Sequence, residues 1–209
     1  TMFQLIDLQD TVRLSARNDG QLVLHTPIAN LPNEQHLAMR AAKLIKQEMT
    51  QAQRLNTNTN TSLGCDIWVD KHIPSGAGLG GGSSDAASTL MGLNHLWACG
   101  LSGEQLQQLG LELGADVPFF CSQLGTARAT GIGETLSSLT TPSKAYLLIF
   151  PNCHVPTPAV FKHPELRWPA RQGKLSDVDV VQNPFAHQLQ NDLQTVAQLI
   201  APPVAIAVE

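Results

Sequence analysis

Lys71-His72-Ile73-Pro74-Ser75-Gly76-Ala77-Gly78-Leu79-Gly80-Gly81-Gly82-Ser83-Ser84-Asp85-Ala86-Ala87 sets five glycines within seven positions and runs straight into a helix-forming stretch. Glycine lets backbone N–H groups approach an anion with no Cβ in the way, and it reaches the positive φ values of a tight loop. Ser83 or Ser84 is expected to cap the helix that follows, whose first N–H groups and dipole favour negative charge. The stretch therefore reads as a phosphate cradle. It is not a Walker loop, because no Lys precedes Ser83 and Ser84 after the last glycine. Gly76, Gly78 and Gly81 satisfy G-x-G-x-x-G, but a dinucleotide site needs a second strand ending in an acidic residue about 20 positions on. Asn94-His95-Leu96-Trp97 and another helical pattern stand there instead.

Outward from the loop, Cys65 to Val69 reads as a strand that feeds it, and Ser84 to Trp97 as the helix it opens. Upstream, Met2 to Leu8, Thr11 to Ser15 and Gln21 to His25 are short, partly alternating segments, a β-rich opening. Glu34 to Arg54 carries Leu37, Ala41, Leu44, Ile45 and Met49 at helical spacing. The polar tract Asn56 to Ser62 reads as a loop. Downstream, Gly100 to Gly103 breaks the helix that the glycine loop opens, and Glu104 to Leu113 forms a second one stopped by Gly114. Ala145 to Phe150 reads as an apolar strand, His163 to Pro184 as a proline-bearing linker, and Ala186 to Ile200 as a helix.

The 209 residues are 43% hydrophobic, enough to bury a core, and the formal charge is −4. Lys and Arg are scattered, so the chain lacks the basic footprint of a nucleic-acid or anionic-membrane binder, and a small-molecule partner is expected. Cys65, Cys99, Cys121 and Cys153 are widely spaced without a C-x-x-C pair, which suits free thiols in a reducing cytoplasm. No apolar run approaches the roughly 18 residues of a membrane span.

Transfer of a phosphoryl group to an alcohol needs a held triphosphate, a divalent cation and a group that takes or orients the hydroxyl proton. For the last, Asp116 is the candidate. It follows Gly114-Ala115 at a helix end and precedes apolar Val117-Pro118-Phe119-Phe120, a costly setting for a carboxylate unless it caps a helix or works on a substrate. A helix-capping or turn aspartate and a carboxylate that works on substrate both remain open at this level. Lys71 stands just ahead of the loop, either solvated or within reach of a phosphate.

The run Pro74 to Ala87 resembles the second signature of the GHMP small-molecule kinases, named for galactokinase, homoserine kinase, mevalonate kinase and phosphomevalonate kinase. Phe3-Gln4-Leu5-Ile6-Asp7-Leu8, Leu113-Gly114-Ala115-Asp116-Val117-Pro118-Phe119-Phe120 and Pro156-Thr157-Pro158-Ala159-Val160-Phe161 resemble one branch of that family. The activity this implies is ATP-dependent phosphorylation of the 2-hydroxyl of 4-diphosphocytidyl-2-C-methyl-D-erythritol, in the non-mevalonate route to isoprenoid precursors. Another GHMP kinase of homoserine or mevalonate type, or a non-catalytic ATP-binding sensor, would share the loop. The implied fold is a two-domain α+β fold, with an ATP-binding domain over 1–140 that contains a left-handed β-α-β element. A substrate-closing α+β domain would begin over 141–209. A monomer or homodimer is expected.

Residue by residue, the resemblance implies Asp116 as the catalytic carboxylate. It implies nucleotide contacts from Lys71, Pro74, Gly76, Gly78, Leu79, Gly80, Gly81, Gly82, Ser83, Ser84 and Asp85, with Ser84 also near Mg2+. Phe161, with Thr157 and Pro158, would stack on cytosine, and Ile132 would form an apolar wall of that pocket. The family binds adenine beside an Asn-Leu pair that reads His36-Leu37 here. A histidine cannot offer the paired donor and acceptor of an amide, so His36 as an adenine contact departs from the pattern, and a surface helix histidine is the competing reading. Pro-Ala-Lys and Gly-Tyr-His motifs lie ahead of the position of Phe3 in the family, and a third, Gly-rich motif lies beyond Glu209. The polypeptide is thus expected to be incomplete at both ends, and without turnover if truncated.

Overall fold

The structure, a computed structural model, describes residues 1–28, 31–51, 63–153, 155–167 and 191–208. By its contacts the chain divides into two compact units, Thr1–Ile73 with Gly80–Ser137, and Pro74–Leu79 with Ser138–Glu209.

The first unit is built on the strand that feeds the glycine loop. This strand, β4 (Gly64–Asp70), lies between β2 (Thr11–Arg17) and β3 (Leu22–Leu24), antiparallel to the first and parallel to the second. Because side chains alternate along a strand, Cys65, Ile67 and Val69 point into the core while Asp66, Trp68 and Asp70 point away. On that outer face Asp66 Oδ1 accepts a bond from Arg17 Nη1 at 2.8 Å, and His25 stacks on Trp68 with ring centroids 4.7 Å apart.

The inner face is covered by α1 (Leu37–Gln51) and α2 (Gly81–Leu96). The helical spacing read from the sequence turns Ala38, Ala41, Ala42, Ile45 and Met49 inward from α1, and α2 answers with Ala86, Ala87, Leu90 and Leu93. Small residues on α2 bring it close to the sheet: a Cβ added at Gly92 would stand 2.5 Å from Leu14 Cδ1. Since α1 joins parallel β3 to β4, the three form a β-α-β unit.

After α2 the chain makes α3 (Gly103–Leu113) and α4 (Val117–Cys121) with no second parallel strand between, which agrees with rejecting a dinucleotide fold. Ser102 and Gln105 close the start of α3 as a reciprocal capping box, with Gln105 N donating to Ser102 Oγ at 3.3 Å and Ser102 N to Gln105 Oε1 at 2.9 Å. A second sheet pairs β5 (Thr126–Thr130) with antiparallel β1 (Met2–Gln4) on one side and β6 (Thr135–Ser138) on the other. Phe3 stacks on Phe119 at 4.9 Å.

The second unit holds α5 (Thr157–Phe161), α6 (Gln194–Ile200) and α7 (Pro202–Val208), with Val160, Val196 and Ala201 buried. The mixture of helices and strands is the expected α+β class. Two expectations need correction. Ala145 to Phe150 is not a strand: no strand among the described residues pairs with it, and Tyr146 to Phe150 are all exposed, Leu147 by 88%. An apolar run is a strand only when another edge supplies its hydrogen bonds. The helix foreseen from Ser84 begins three residues earlier, at Gly81. The polar tract at 56–62, most of the proline-bearing linker and the start of the helix foreseen at Ala186 lie outside the described residues. Cys65, Cys99 and Cys121 are buried and Cys153 half-buried, all as free thiols. No helix among the described residues is long and apolar enough to cross a membrane.

Candidate active site

Gly80 is the pivot between loop and helix. It takes φ of 69° as the residue capping α2, a left-handed conformation that costs an L side chain about 1–2 kcal/mol. A Cβ there would also stand 3.0 Å from Phe120 Cζ. Gly76 and Gly78 share the positive φ, at 74° and 73°, and Ala77 N donates to Pro74 O in the turn between them. Neither Ser83 nor Ser84 caps the helix, which corrects the sequence reading. With Gly80 already in the capping position, both serines fall inside the first turn, and Ser84 N donates to Gly80 O at 2.9 Å. The start of α2 therefore has no side-chain cap, unlike α3, and its leading N–H groups are left for an anion.

The candidate base lies beside that opening. Val117 N donates to Gly114 O at 3.1 Å, closing a turn with Ala115 and Asp116 at its centre. A Cβ added at Gly114 would be 3.9 Å from Ser83 Oγ, so this turn adjoins the first turn of α2. Asp116 occupies the capping position of α4 with φ of −87° and makes no capping hydrogen bond; its carboxyl has no partner among the described residues. The residue remains open to solvent, yet enough protein surrounds the carboxyl that desolvation raises its pKa above the ordinary 3.8. Of the two structural readings of Asp116, helix cap or turn residue, the first is thus removed and the second is the place it occupies. The turn Gly131–Gly133 closes the same side, where a Cβ on Gly133 would meet Ala115 O at 3.4 Å; Ile132 at its tip is 75% exposed.

Lys71 is engaged rather than free. Its Nζ donates to Asp85 Oδ2 at 2.8 Å and to Asp10 Oδ2 in a still shorter contact. Both carboxylates are almost fully buried, with side chains 3% and 2% exposed. Burial pushes Asp85 up to about 6 against the pull of Lys71, and Asp85 Oδ1 has no partner among the described residues. Burial also acts to raise Asp10, but the hydrogen bonds from Lys71, Ile73 and His72 outweigh it and hold that carboxyl below its ordinary value. Asp10 escaped the sequence reading altogether. It lies 61 positions from Lys71, and only the register of β2 on β4, which pairs Thr11 with Asp70, brings the two together.

His36 is not the surface residue offered as one alternative. It is 3% exposed and caps α1, its Nδ1 accepting from Ala38 N at 3.2 Å. Burial and then the nearby charge of Lys71 lower its pKa, so Nε2 carries the proton and has no partner among the described residues. Leu37 packs toward α2, where a Cβ on Gly82 would stand 3.0 Å from Leu37 Cδ1. In the second unit, Thr157 and Pro158 open α5, and Phe161 at its end is 49% exposed.

Comparison with known proteins decides the family. Residues 36–123 match the model of the GHMP kinases N terminal domain. The chain is 44% identical over its whole length to the 4-diphosphocytidyl-2-C-methyl-D-erythritol kinase of Janthinobacterium sp. (strain Marseille), spanning 69% of that protein. The chain belongs to the GHMP kinase family. The protein of the same name from Herminiimonas arsenicoxydans is 43% identical over the same extent. Among solved GHMP kinases, a crystal structure of 4-(cytidine 5'-diphospho)-2C-methyl-D-erythritol kinase superposes with a TM-score of 0.70 at 30% identity, over 99% of this chain and 70% of that one. The matched family segment runs from His36 at the cap of α1 past Asp116 to the end of α4, so it contains the glycine loop, the open start of α2 and the Gly114 turn.

Proposed function

We propose that this chain carries the phosphoryl-transfer site of a kinase that uses ATP to phosphorylate the 2-hydroxyl of 4-diphosphocytidyl-2-C-methyl-D-erythritol. The observation that carries the reading is the pairing of an uncapped helix start with a partnerless, partly desolvated Asp116 in the adjoining turn. The N–H groups at the start of α2, the glycines from Gly76 to Gly82, and the hydroxyls of Ser83 and Ser84 bind and orient the triphosphate. Asp116 accepts the hydroxyl proton or orients that hydroxyl toward the γ-phosphate, and its raised pKa brings it nearer the range of an effective base. Exposed Phe161 offers the aromatic face on which cytosine stacks.

The donor set also fits a metal delivered with the nucleotide. Among the described residues no group of three His, Cys, Asp or Glu could hold an ion, and Mg2+ is commonly bound through substrate phosphates with few protein ligands, a role open here to the Ser84 hydroxyl. When bound, the ion offsets charge on the triphosphate.

The test is ADP release by the full-length protein with ATP, magnesium and the cytidine-linked alcohol. Asp116→Asn is expected to lower kcat on the order of 10² to 10⁴-fold, the scale of a general base, while ATP affinity stays within about twofold. A variant that keeps its rate, or one that loses ATP binding, refutes the role given to Asp116.

A further inference from the structure

We infer that Asp10 is a positioning residue for nucleotide binding: its carboxylate ties together the two ends of the glycine loop and so sets the loop's shape before ATP arrives. Beyond the end of β4 at Asp70, the backbone N–H groups of His72 and Ile73 have no strand to pair with. Asp10 Oδ1 accepts both, at 2.6 and 2.8 Å. Its other oxygen grips Lys71, which in turn reaches Asp85 on the second turn of α2. At the far end of the loop, a Cβ built on Gly81 would lie 3.3 Å from Asp10 Oδ2 and 2.9 Å from Ile73 Cγ2. The seven residues between Ile73 and Gly81 therefore leave and return to one small, water-poor spot whose centre is Asp10. The absence of a side chain at Gly81 is what lets the ends meet there.

Such a buried ionic knot is a poor way to gain stability alone, since well-packed apolar side chains serve as well. Its geometric effect is more specific. A loop whose ends are pinned loses less conformational freedom when its N–H groups close on an anion, and affinity rises accordingly. The chemistry recognised remains that of a nucleoside triphosphate, and the inference rests on the ATP-binding reading above.

The experiment compares ATP binding and steady-state kinetics of the full-length protein with those of Asp10→Asn, Lys71→Met and the double variant. Asparagine can still accept from His72 and Ile73 but turns an NH2 toward the lysine, so the link to α2 breaks. The expected result is an ATP Kd and KM raised roughly tenfold, the scale of one lost charge-assisted hydrogen bond, with kcat and the KM of the alcohol changed less than about twofold. The double variant should bind ATP no more weakly than the weaker single one. A lowered melting temperature with unchanged ATP affinity, or losses that multiply in the double variant, overturns the inference. Should Asp10→Asn not fold, hydrogen exchange on the unaltered protein decides: His72 and Ile73 amides protected both with and without ATP support a preformed clamp, and protection only with ATP overturns it. If the unaltered protein binds no ATP, the functional reading fails; if it binds ATP and Asp10→Asn binds equally well, only the clamp fails.

Discussion

Asp85→Asn separates the cost of burying a carboxylate from its bond to Lys71. The Asp85 side chain is 3% exposed, with Oδ2 bonded to Lys71 Nζ at 2.8 Å and Oδ1 unpartnered. Burial carries its pKa from 3.8 to about 6. Between those values the folded chain holds the proton more tightly than the unfolded one, so the contribution of Asp85 to stability is full below pH 3.8 and is lost as pH rises through about 6. The gap amounts to about 3 kcal/mol. Asparagine does not titrate, and its changes in packing and hydrogen bonding are independent of pH. Subtracting the wild-type unfolding free energy from that of the variant therefore cancels them. The difference should climb by about 2 kcal/mol from pH 4 to pH 7, since part of the gap is already lost at pH 4, or roughly 4 to 8 °C in Tm for a chain of this size. Of the neighbouring groups, Asp10 is held below 3.8 and Lys71 above 10.5, while His36, lowered from 6.5, is present in both proteins, so its own titration cancels in the difference. Urea unfolding at pH 4, 5, 6 and 7 without nucleotide measures the difference, and a flat line would mean that Asp85 is not desolvated as the structure has it.

Gly80→Ala forces a Cβ into a left-handed residue 3.0 Å from Phe120, and should cost about 1–2 kcal/mol in urea unfolding together with a weaker ATP Kd; a neutral result on both would show that the loop repacks freely. Ser102→Ala removes half of the α3 capping box and should cost about 1 kcal/mol while ATP affinity stays unchanged, as titration of the purified variant would check. Because desolvation raises the pKa of Asp116 and its working form is ionised, kcat should decline on acidification at a pH above 3.8; a decline confined to lower pH contradicts its role as base.

Much of the architecture can be read along the chain. The spacing of Ala41, Ile45 and Met49 marks α1, the apolar run Cys65 to Val69 marks β4, and the break at Gly100 to Gly103 with the stop at Gly114 brackets α3. Each depends on residues a few positions apart, so local sequence suffices. The glycine loop belongs to the same class, because its chemistry resides in backbone amides and in the lack of side chains. Where the reading slipped, the deciding contact was distant or missing. Serine is the usual capping residue, but Gly80 takes that place against Phe120, forty positions on. Ala145 to Phe150 has the composition of a strand and no partner edge among the described residues.

By itself, then, the sequence determined that the chain is an α+β protein with an anion-binding loop entering a helix, and it singled out Asp116. Whether Asp116 caps a helix or stands unpartnered, whether His36 faces water or the interior, and whether Lys71 is free or held were decided by tertiary structure alone. The reason is common to all three. The state of a polar side chain depends on which groups the fold brings within about 3 Å and how much water it removes, and residues such as Asp10 reach that distance only through strand register.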